Sequence, residues 1–154
     1  MTKQSTDVPN GPEPEAREQE ADEASARRVA VLDASALLAL LFAEPGAERV
    51  ADVIAEGAVI STVNLSEVGA LLVRRGQAPE KALAPVREQV SVEPFTADDA
   101  LTAARLSPLT AAKGLSLGDR ACLALANRLA ARAVTAERAW TQLELDVEIE
   151  LIRA

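Results

Sequence analysis

The sequence predicts an α/β protein with a central, mainly parallel sheet that helices cover on both faces. Two observations support this fold class. Short aliphatic runs alternate with amphipathic segments from Val29 onward, and the runs are continuously apolar, as strands buried on both faces are. Residues 29–154 are therefore expected to form one domain with right-handed crossovers. A domain of this size buries roughly two-thirds of its unfolded surface, so neither a metal nor a disulfide is needed merely to fold it.

The first 28 residues differ from the rest in composition. They carry three prolines, seven acids and four bases, and almost no large apolar residue. Such a segment cannot bury enough apolar surface to fold, so residues 1–28 are predicted to be a disordered acidic tail. The alternative is a short helix across Glu13 to Arg27, which lacks an apolar stripe and would be marginal alone.

The domain itself divides into predicted strands and helices. The aliphatic runs predict strands at 29–32, 58–61, 90–95, 132–136 and 147–152. The segments between them predict helices at 36–43, 47–56, 64–75, 79–89, 97–106, 118–131 and 138–143. Several of these helices open at Ser, Thr or Asn and end near a glycine, as helix boundaries commonly do.

Composition excludes several classes of chemistry. The chain contains no His, which excludes Ser-His and Cys-His nucleophile pairs, a histidine base and the usual zinc signatures. The single Cys122 cannot form an intrachain disulfide, and nothing at the N-terminus resembles a signal peptide. The apolar run at 36–43 is far shorter than the roughly 20 residues that cross a bilayer. A cytoplasmic protein without membrane contact is expected.

The net charge of −8 argues against a protein that holds nucleic acid by a general positive field. A local basic patch or a bound cation would have to reverse the sign at one site. The aromatic residues are Phe42, Phe95 and Trp140, too few for a platform that stacks single-stranded bases.

Two acids directly follow predicted strands. Asp33 comes after the first strand and Glu137 after the fourth, and the carboxyl ends of parallel strands line the crevice where ligands bind. Each also has a purely structural explanation. Asp33 would cap the next helix, and Glu137 would be a favourable acid at a helix start.

Two further acids lie near predicted helix starts. Asn64 with Glu67, and Ser116 with Asp119, have the spacing of capping boxes, in which the acid only closes the first turn. The chemical alternative places both carboxylates in the crevice beside Asp33. Gly118 favours it, because glycine allows close backbone approach and a helix N-terminus attracts anions.

The joint pattern favours a site over four independent caps. Two carboxylates about 5 Å apart at an effective dielectric of about 20 repel by about 3 kcal/mol, which a divalent cation offsets. Carboxylate oxygens are hard ligands that suit Mg²⁺ or Mn²⁺. The sequence therefore predicts a cation held by acids at one edge of the sheet.

Five motifs carry a resemblance to a known family. They are VLDASALLALL (31–41), ISTVNLSEV (60–68), PFTADDALTAARL (94–106), GLSLGDRACLALA (114–126) and VTAERAW (134–140). In this order and spacing, residues 29–153 resemble the PIN domain, and within it the VapC-type toxin ribonucleases of bacterial toxin–antitoxin pairs. The resemblance implies a three-layer fold and an acidic metal site formed by Asp33, Glu67 and Asp119.

One motif departs from the family pattern. Such proteins usually carry Asp after Thr-Ala in the last motif, where this chain has Glu137, whose extra methylene leaves direct, water-mediated or no metal contact open. Ser35, Ser116 and Thr135 stand beside the acids and either hydrogen-bond a ligand carboxylate or act as caps. Asp98 and Asp99 are predicted to be solvated first-turn acids. Candidate RNA-phosphate contacts are Arg74, Arg75, Arg120 and Arg138.

The resemblance implies metal-dependent hydrolysis of RNA, with one or two Mg²⁺ ions for which Mn²⁺ would substitute. It also implies a homodimer inhibited by a VapB-type antitoxin. The alternative is a PIN-like module that binds RNA or a partner but has lost catalysis. A phosphoacceptor receiver domain fits poorly, since Ala34 and Ser35 follow Asp33, and Ser35 likewise disfavours a DxD phosphoaspartyl hydrolase.

Overall fold

The computed structural model describes residue 11, residues 13–18 and residues 29–154. Residues 14–18 are helical, and residues 11 and 13 have no regular secondary structure. The remaining residues of the predicted disordered tail lie outside the described residues, so the predicted boundary at residues 28 and 29 stays a prediction.

Five strands form one parallel sheet in the order β3-β2-β1-β4-β5. The strands are β1 Ala30–Leu32, β2 Ala58–Ser61, β3 Val90–Glu93, β4 Arg132–Thr135 and β5 Ile149–Leu151. All residues of β1 and β2 are buried, in agreement with the continuously apolar runs. The predicted α/β class and parallel sheet are confirmed, and the outer strands β3 and β5 are shorter than predicted.

Six α-helices connect the strands. They are α1 Ala34–Leu41, α2 Ala47–Glu56, α3 Thr62–Arg74, α4 Pro79–Gln89, α5 Ala97–Thr110 and α6 Leu117–Leu129. Short 3-10 helices occupy Ala111–Lys113 and Arg138–Gln142, the second where an α-helix is predicted. No helix in the described part of the chain is long and apolar enough to span a membrane.

The sheet separates two hydrophobic clusters, so the described domain has three layers. Side chains alternate along β1: Ala30 and Leu32 pack against α1 to α4, whereas Val31 packs against α6 on the other face. Trp140 is almost fully buried and closes the second cluster. Because all strands are parallel, their carboxyl ends lie at one edge of the sheet, where the predicted site residues would meet.

Candidate functional site

Asp33 lies where β1 ends and α1 begins. Its side chain is 1% exposed, and its Oδ1 accepts a hydrogen bond of 2.8 Å from the backbone N–H of Ala36. Asp33 is therefore the N-cap of α1, as its structural explanation requires. A cap on the surface would remain hydrated, whereas this carboxyl group is enclosed.

Two hydroxyl groups hold the Asp33 carboxyl group. The Ser35 hydroxyl lies 2.7 Å from Oδ1 and 2.9 Å from Oδ2, and the Thr135 hydroxyl donates to Oδ2 at 2.6 Å. Backbone N–H groups donate to both hydroxyl oxygens, Ala136 to Ser35 at 2.9 Å and Glu137 to Thr135 at 3.0 Å. Each hydroxyl accepts from the backbone and so directs its proton towards Asp33, which joins the end of β4 to the end of β1.

Burial dominates the electrostatics of Asp33. It raises the pKa of the carboxyl group to about 6, against the lowering effect of the hydrogen bonds from Thr135, Ala36 and Ser35. The negative charge of Asp119 adds a smaller increase in this pKa. The ionised form of Asp33 is costly because the group is buried and lies near a second acid. A cation bound nearby would stabilise that ionised form.

Asp119 closes the first turn of α6. Its Oδ2 accepts from the Ser116 backbone N–H at 2.9 Å, and the Ser116 hydroxyl accepts from the Asp119 N–H at 3.2 Å. This reciprocal pair is the capping box that the sequence predicts as one alternative. Ser116 has no hydrogen bond with Asp33, unlike Ser35 and Thr135, and therefore acts here as a cap.

Glu67 is not part of a capping box, and that alternative is wrong. Helix α3 begins at Thr62 with Ser61 as its N-cap, so Asn64 lies inside the helix and Glu67 in its second turn. The error arises because β2 continues into α3 without a loop, and Ser61 is both the last strand residue and the cap. Glu67 Oε2 instead accepts from Asn64 Nδ2 at 3.0 Å.

Asn64 belongs to the site, although the sequence pattern predicts it to be only a helix N-cap. It is fully buried, and its Nδ2 also donates to the backbone carbonyl of Gly118 at 2.9 Å. Asn64 thereby links α3, which carries Glu67, to the first turn of α6, which carries Asp119. The sequence does contain a signal for this contact: Asn64 lies three residues before Glu67, so the two side chains share one face of a helix.

The three acids surround the start of α6. The pKa of the buried Cys122 thiol is raised first by burial and then by the charges of Asp33, Asp119 and Glu67. The structure therefore brings together side chains from three separate segments at the carboxyl edge of the sheet. As their side chains stand, no three Asp, Glu or Cys groups in the described residues are arranged to hold a metal ion. Asp119 Oδ2 accepts from the Ser116 N–H, and Glu67 Oε2 accepts from Asn64.

Glu137 stands apart from this group. Glu137 is exposed. It is the N-cap residue of the 3-10 helix Arg138–Gln142, but its side chain makes no capping hydrogen bond. Only its backbone N–H joins the site, through Thr135.

One other expectation is corrected, and the RNA contacts of the candidate arginines stay a prediction. Asp99 is 2% exposed rather than solvated, because it closes the capping box of α5 and accepts from Arg128 Nε at 2.9 Å and Nη2 at 3.1 Å. Burial raises the pKa of Asp99, but the Arg128 hydrogen bonds and charge outweigh this and lower it overall. Among the arginine candidates, Arg120 donates to the Ala103 carbonyl at 3.1 Å, and Arg75 lies over the Phe42 ring at 4.2 Å.

Several solved structures share this architecture. VapBC2 from Rickettsia felis, bound to a DNA fragment from its promoter, has a TM-score of 0.65 and 15% identity, covering 79% of this chain and 97% of that one. VapC20 from Mycobacterium tuberculosis, a Sarcin-Ricin loop cleaving toxin, has a TM-score of 0.59 and 21% identity over 77% and 98%. VapBC-5 from the same organism has a TM-score of 0.56 and 24% identity over 82% and 99%. At these identities the likeness shows the fold.

Comparison by sequence identifies the family. No curated protein matches the chain. The family model of the PIN domain matches residues 30–144, which include β1 to β4 and all four candidate acids. The match spans most of the chain and nearly all of its folded domain, so the chain belongs to the PIN domain family.

Proposed function

We propose that this chain is a metal-dependent endoribonuclease that acts as the toxin of a toxin–antitoxin pair. One observation carries the proposal: the Glu67 carboxyl group lies against Gly118, one residue before Asp119, at the edge of the sheet where Asp33 follows β1. A PIN domain with an acidic centre and no histidine has carboxylates as its available catalytic groups.

The donor chemistry of the site fits a divalent cation such as Mg²⁺, with Mn²⁺ as a substitute. Asp33, Glu67 and Asp119 offer hard carboxylate oxygens, and burial raises the pKa of Asp33, which a nearby cation would lower again. These three residues would hold the ion. Glu137 is the weaker fourth candidate because its side chain is exposed and would have to turn inward.

The bound ion would supply an activated water and charge stabilisation on the phosphate. The residues of the chain orient the acids. Ser35 and Thr135 hold both oxygens of Asp33 in place, and the Ser116 cap holds Asp119 at the helix start. At pH values above about 6, Asp33 is ionised and able to act as a ligand.

The proposed partners follow from the family and its structural relatives. The similar structures include VapBC toxin–antitoxin assemblies, so a VapB-type antitoxin is the proposed inhibitor, and a homodimer is the proposed assembly. RNA is the proposed substrate. With three aromatic residues in the whole chain, recognition is expected to depend on RNA shape and a short accessible segment.

The test is cleavage of total bacterial RNA by the purified protein in Mg²⁺, in Mn²⁺ and in EDTA. An Asp119→Asn variant removes one proposed ligand, and Asp98→Asn makes the same charge change at an exposed acid outside the site. The proposal expects discrete metal-dependent products from the wild type and from Asp98→Asn, and none from Asp119→Asn. Equal cleavage by all three proteins would indicate a contaminating nuclease and contradict the proposal.

The second candidate is a PIN module that binds RNA or a protein without cutting. The observations in its favour are the exposed Glu137 and the absence of a ready three-carboxylate cluster within the described residues. Metal-dependent stabilisation separates the two functions. If the chain has a metal site, Mn²⁺ should raise its melting temperature, and EDTA should abolish that increase. A module without a metal site should melt at the same temperature with Mn²⁺ and with EDTA.

A further inference from the structure

Gly118 occupies a helical position that does not require glycine. It is the second residue of α6, and its φ is not among the positive values of the chain. Glycine weakens helices because it has more backbone freedom to lose on folding than any other residue. The reason for glycine here must therefore be space.

The space beside Gly118 is occupied by Glu67. A Cβ atom added to Gly118 would overlap the Glu67 carboxyl group, to which all three of its nearest neighbouring atoms belong. Gly118 is itself buried, and Glu67 is half-buried. Any side chain at position 118 would displace the Glu67 carboxyl group.

Asn64 holds the same carboxyl group from the other side. Its Nδ2 donates both to Glu67 Oε2 and to the Gly118 carbonyl, while its Oδ1 is buried and has no hydrogen-bond partner among the described residues. A buried amide with an unsatisfied oxygen is costly, and an apolar side chain of similar size would avoid that cost. We therefore attribute Asn64 to its hydrogen bonds with Glu67 and Gly118 and not to a general contribution to stability.

We propose that Asn64 and Gly118 are positioning residues that form a socket for the Glu67 carboxyl group. Gly118 provides the space and Asn64 provides the hydrogen bond that fixes Glu67 against the first turn of α6. The socket sets the position of Glu67 relative to Asp119, one residue after Gly118. This inference rests on the proposed function where it treats Glu67 as a metal ligand, but the socket itself can be tested without metal.

The metal-free test compares the effect of Gly118→Ala in three backgrounds. With Glu67 present, Gly118→Ala should lower the melting temperature, because the methyl group and the carboxyl group compete for the same space. With Glu67→Ala, the same substitution should raise the melting temperature by about 1 to 4 °C, as alanine favours the helix. With Glu67→Gln, which keeps the size and removes the charge, the melting temperature should again fall.

The metal test measures Mn²⁺ affinity by titration calorimetry, which requires no RNA cleavage. Gly118→Ala and Asn64→Leu should each weaken Mn²⁺ binding about tenfold or more, as loss of groups that orient ligands does. Gly69→Ala is the matched control on α3, where an added Cβ meets only Pro79 Cβ at an ordinary 3.7 Å. It should leave Mn²⁺ affinity unchanged and should not lower the melting temperature.

The two tests separate the socket from the proposed function. If Gly118→Ala changes the melting temperature in the same direction with Glu67 and with Glu67→Ala, the socket is overturned. Unchanged Mn²⁺ affinity in both Gly118→Ala and Asn64→Leu would overturn the positioning role. A wild type that binds no Mn²⁺, together with the expected sign reversal, would leave the socket established and contradict the metal-dependent function alone.

Discussion

At the scale of single residues, the buried carboxyl group of Asp33 should make stability depend on pH. Its pKa is raised from 3.8 to about 6, so between these values the folded chain holds a proton that the unfolded chain has released. Stability should therefore fall as pH rises through this window and level off above it. The rise in pKa corresponds to about 3 kcal/mol of stability lost across this window. In Asp33→Asn, this fall in the free energy of unfolding between pH 3.8 and about 6 should disappear, as measured by urea denaturation at each pH.

The pH window is favourable for this measurement because the chain has no histidine that would titrate within it. The lowered pKa of Asp99 places its contribution at lower pH, and the raised pKa of Cys122 places its contribution at higher pH. Asp98→Asn is the control, since it removes an exposed acid. A pH dependence that persists unchanged in Asp33→Asn would contradict the assignment to Asp33.

The Cys122 thiol provides a second prediction at this scale. It is fully buried, and burial together with the three nearby acids raises its pKa. Since the thiolate is the reactive form, a thiol reagent at pH 8 should label native Cys122 only when the chain opens. Labelling followed by absorbance should accelerate with added urea in step with unfolding. Rapid labelling of the native protein without urea would show that the α6 face is not closed as described.

The residues of the site differ in how well sequence reasoning could place them. The structural explanations of Asp33 and Asp119 are confirmed, since Asp33 is an N-cap and Asp119 completes a capping box, and their role as metal ligands stays a prediction. Glu67 and Asn64 were assigned a capping box that does not exist. The local pattern of a cap is the same whether or not a loop separates strand from helix, so the pattern alone could not locate the start of α3.

At the scale of helices and strands, prediction succeeded where a boundary has a local cause. Gly46 and Gly57 have positive φ and bound α2, and Pro79 opens α4, so both helices match their predicted ranges. Helix α5 continues to Thr110, past its predicted end at 106 and through Pro108. A proline removes one N–H from a helix but does not always end it, so the proline signal alone misplaces the end of α5.

One charged pair joins α5 to α6, which gives a prediction at this scale. Asp99 at the start of α5 is buried and is bonded in a fork by Arg128 near the end of α6. Arg128→Leu would leave a buried carboxylate without its partner and should lower the free energy of unfolding by about 2 to 3 kcal/mol. Thermal and urea unfolding would measure this loss.

The control for this pair is Arg105→Leu, which removes an exposed arginine from α5 and should change stability by about 0.5 kcal/mol or less. The double variant Asp99→Leu with Arg128→Leu should recover part of the lost stability, because it no longer buries an unpaired charge. Equal losses in Arg128→Leu and Arg105→Leu would show that the fork does not join the two helices.

At the scale of the whole molecule, the strand order explains why scattered acids meet. β1 lies between β2 and β4, so the residues that follow these three strands share one edge of the sheet. Alternation of strands and helices predicted a parallel sheet but not this order, because the order depends on which crossovers pack best. The motifs predicted the family, which hydrophobic periodicity alone could not, and the family model confirms a PIN domain over residues 30–144.

The N-terminal segment provides the last prediction, which concerns the charge of the whole chain. The described packing starts at Ala30, whose N–H donates to the Gly57 carbonyl at 3.1 Å. Residues 1–27 carry seven acids and three bases, or −4 of the total −8, so a chain starting at Arg28 has a net charge of −4. This shorter chain should unfold with the same free energy within about 0.5 kcal/mol. It should cleave RNA at least as fast, with less dependence on salt, because fewer negative charges repel the substrate. A less stable or inactive short chain would show that the segment is part of the functional fold.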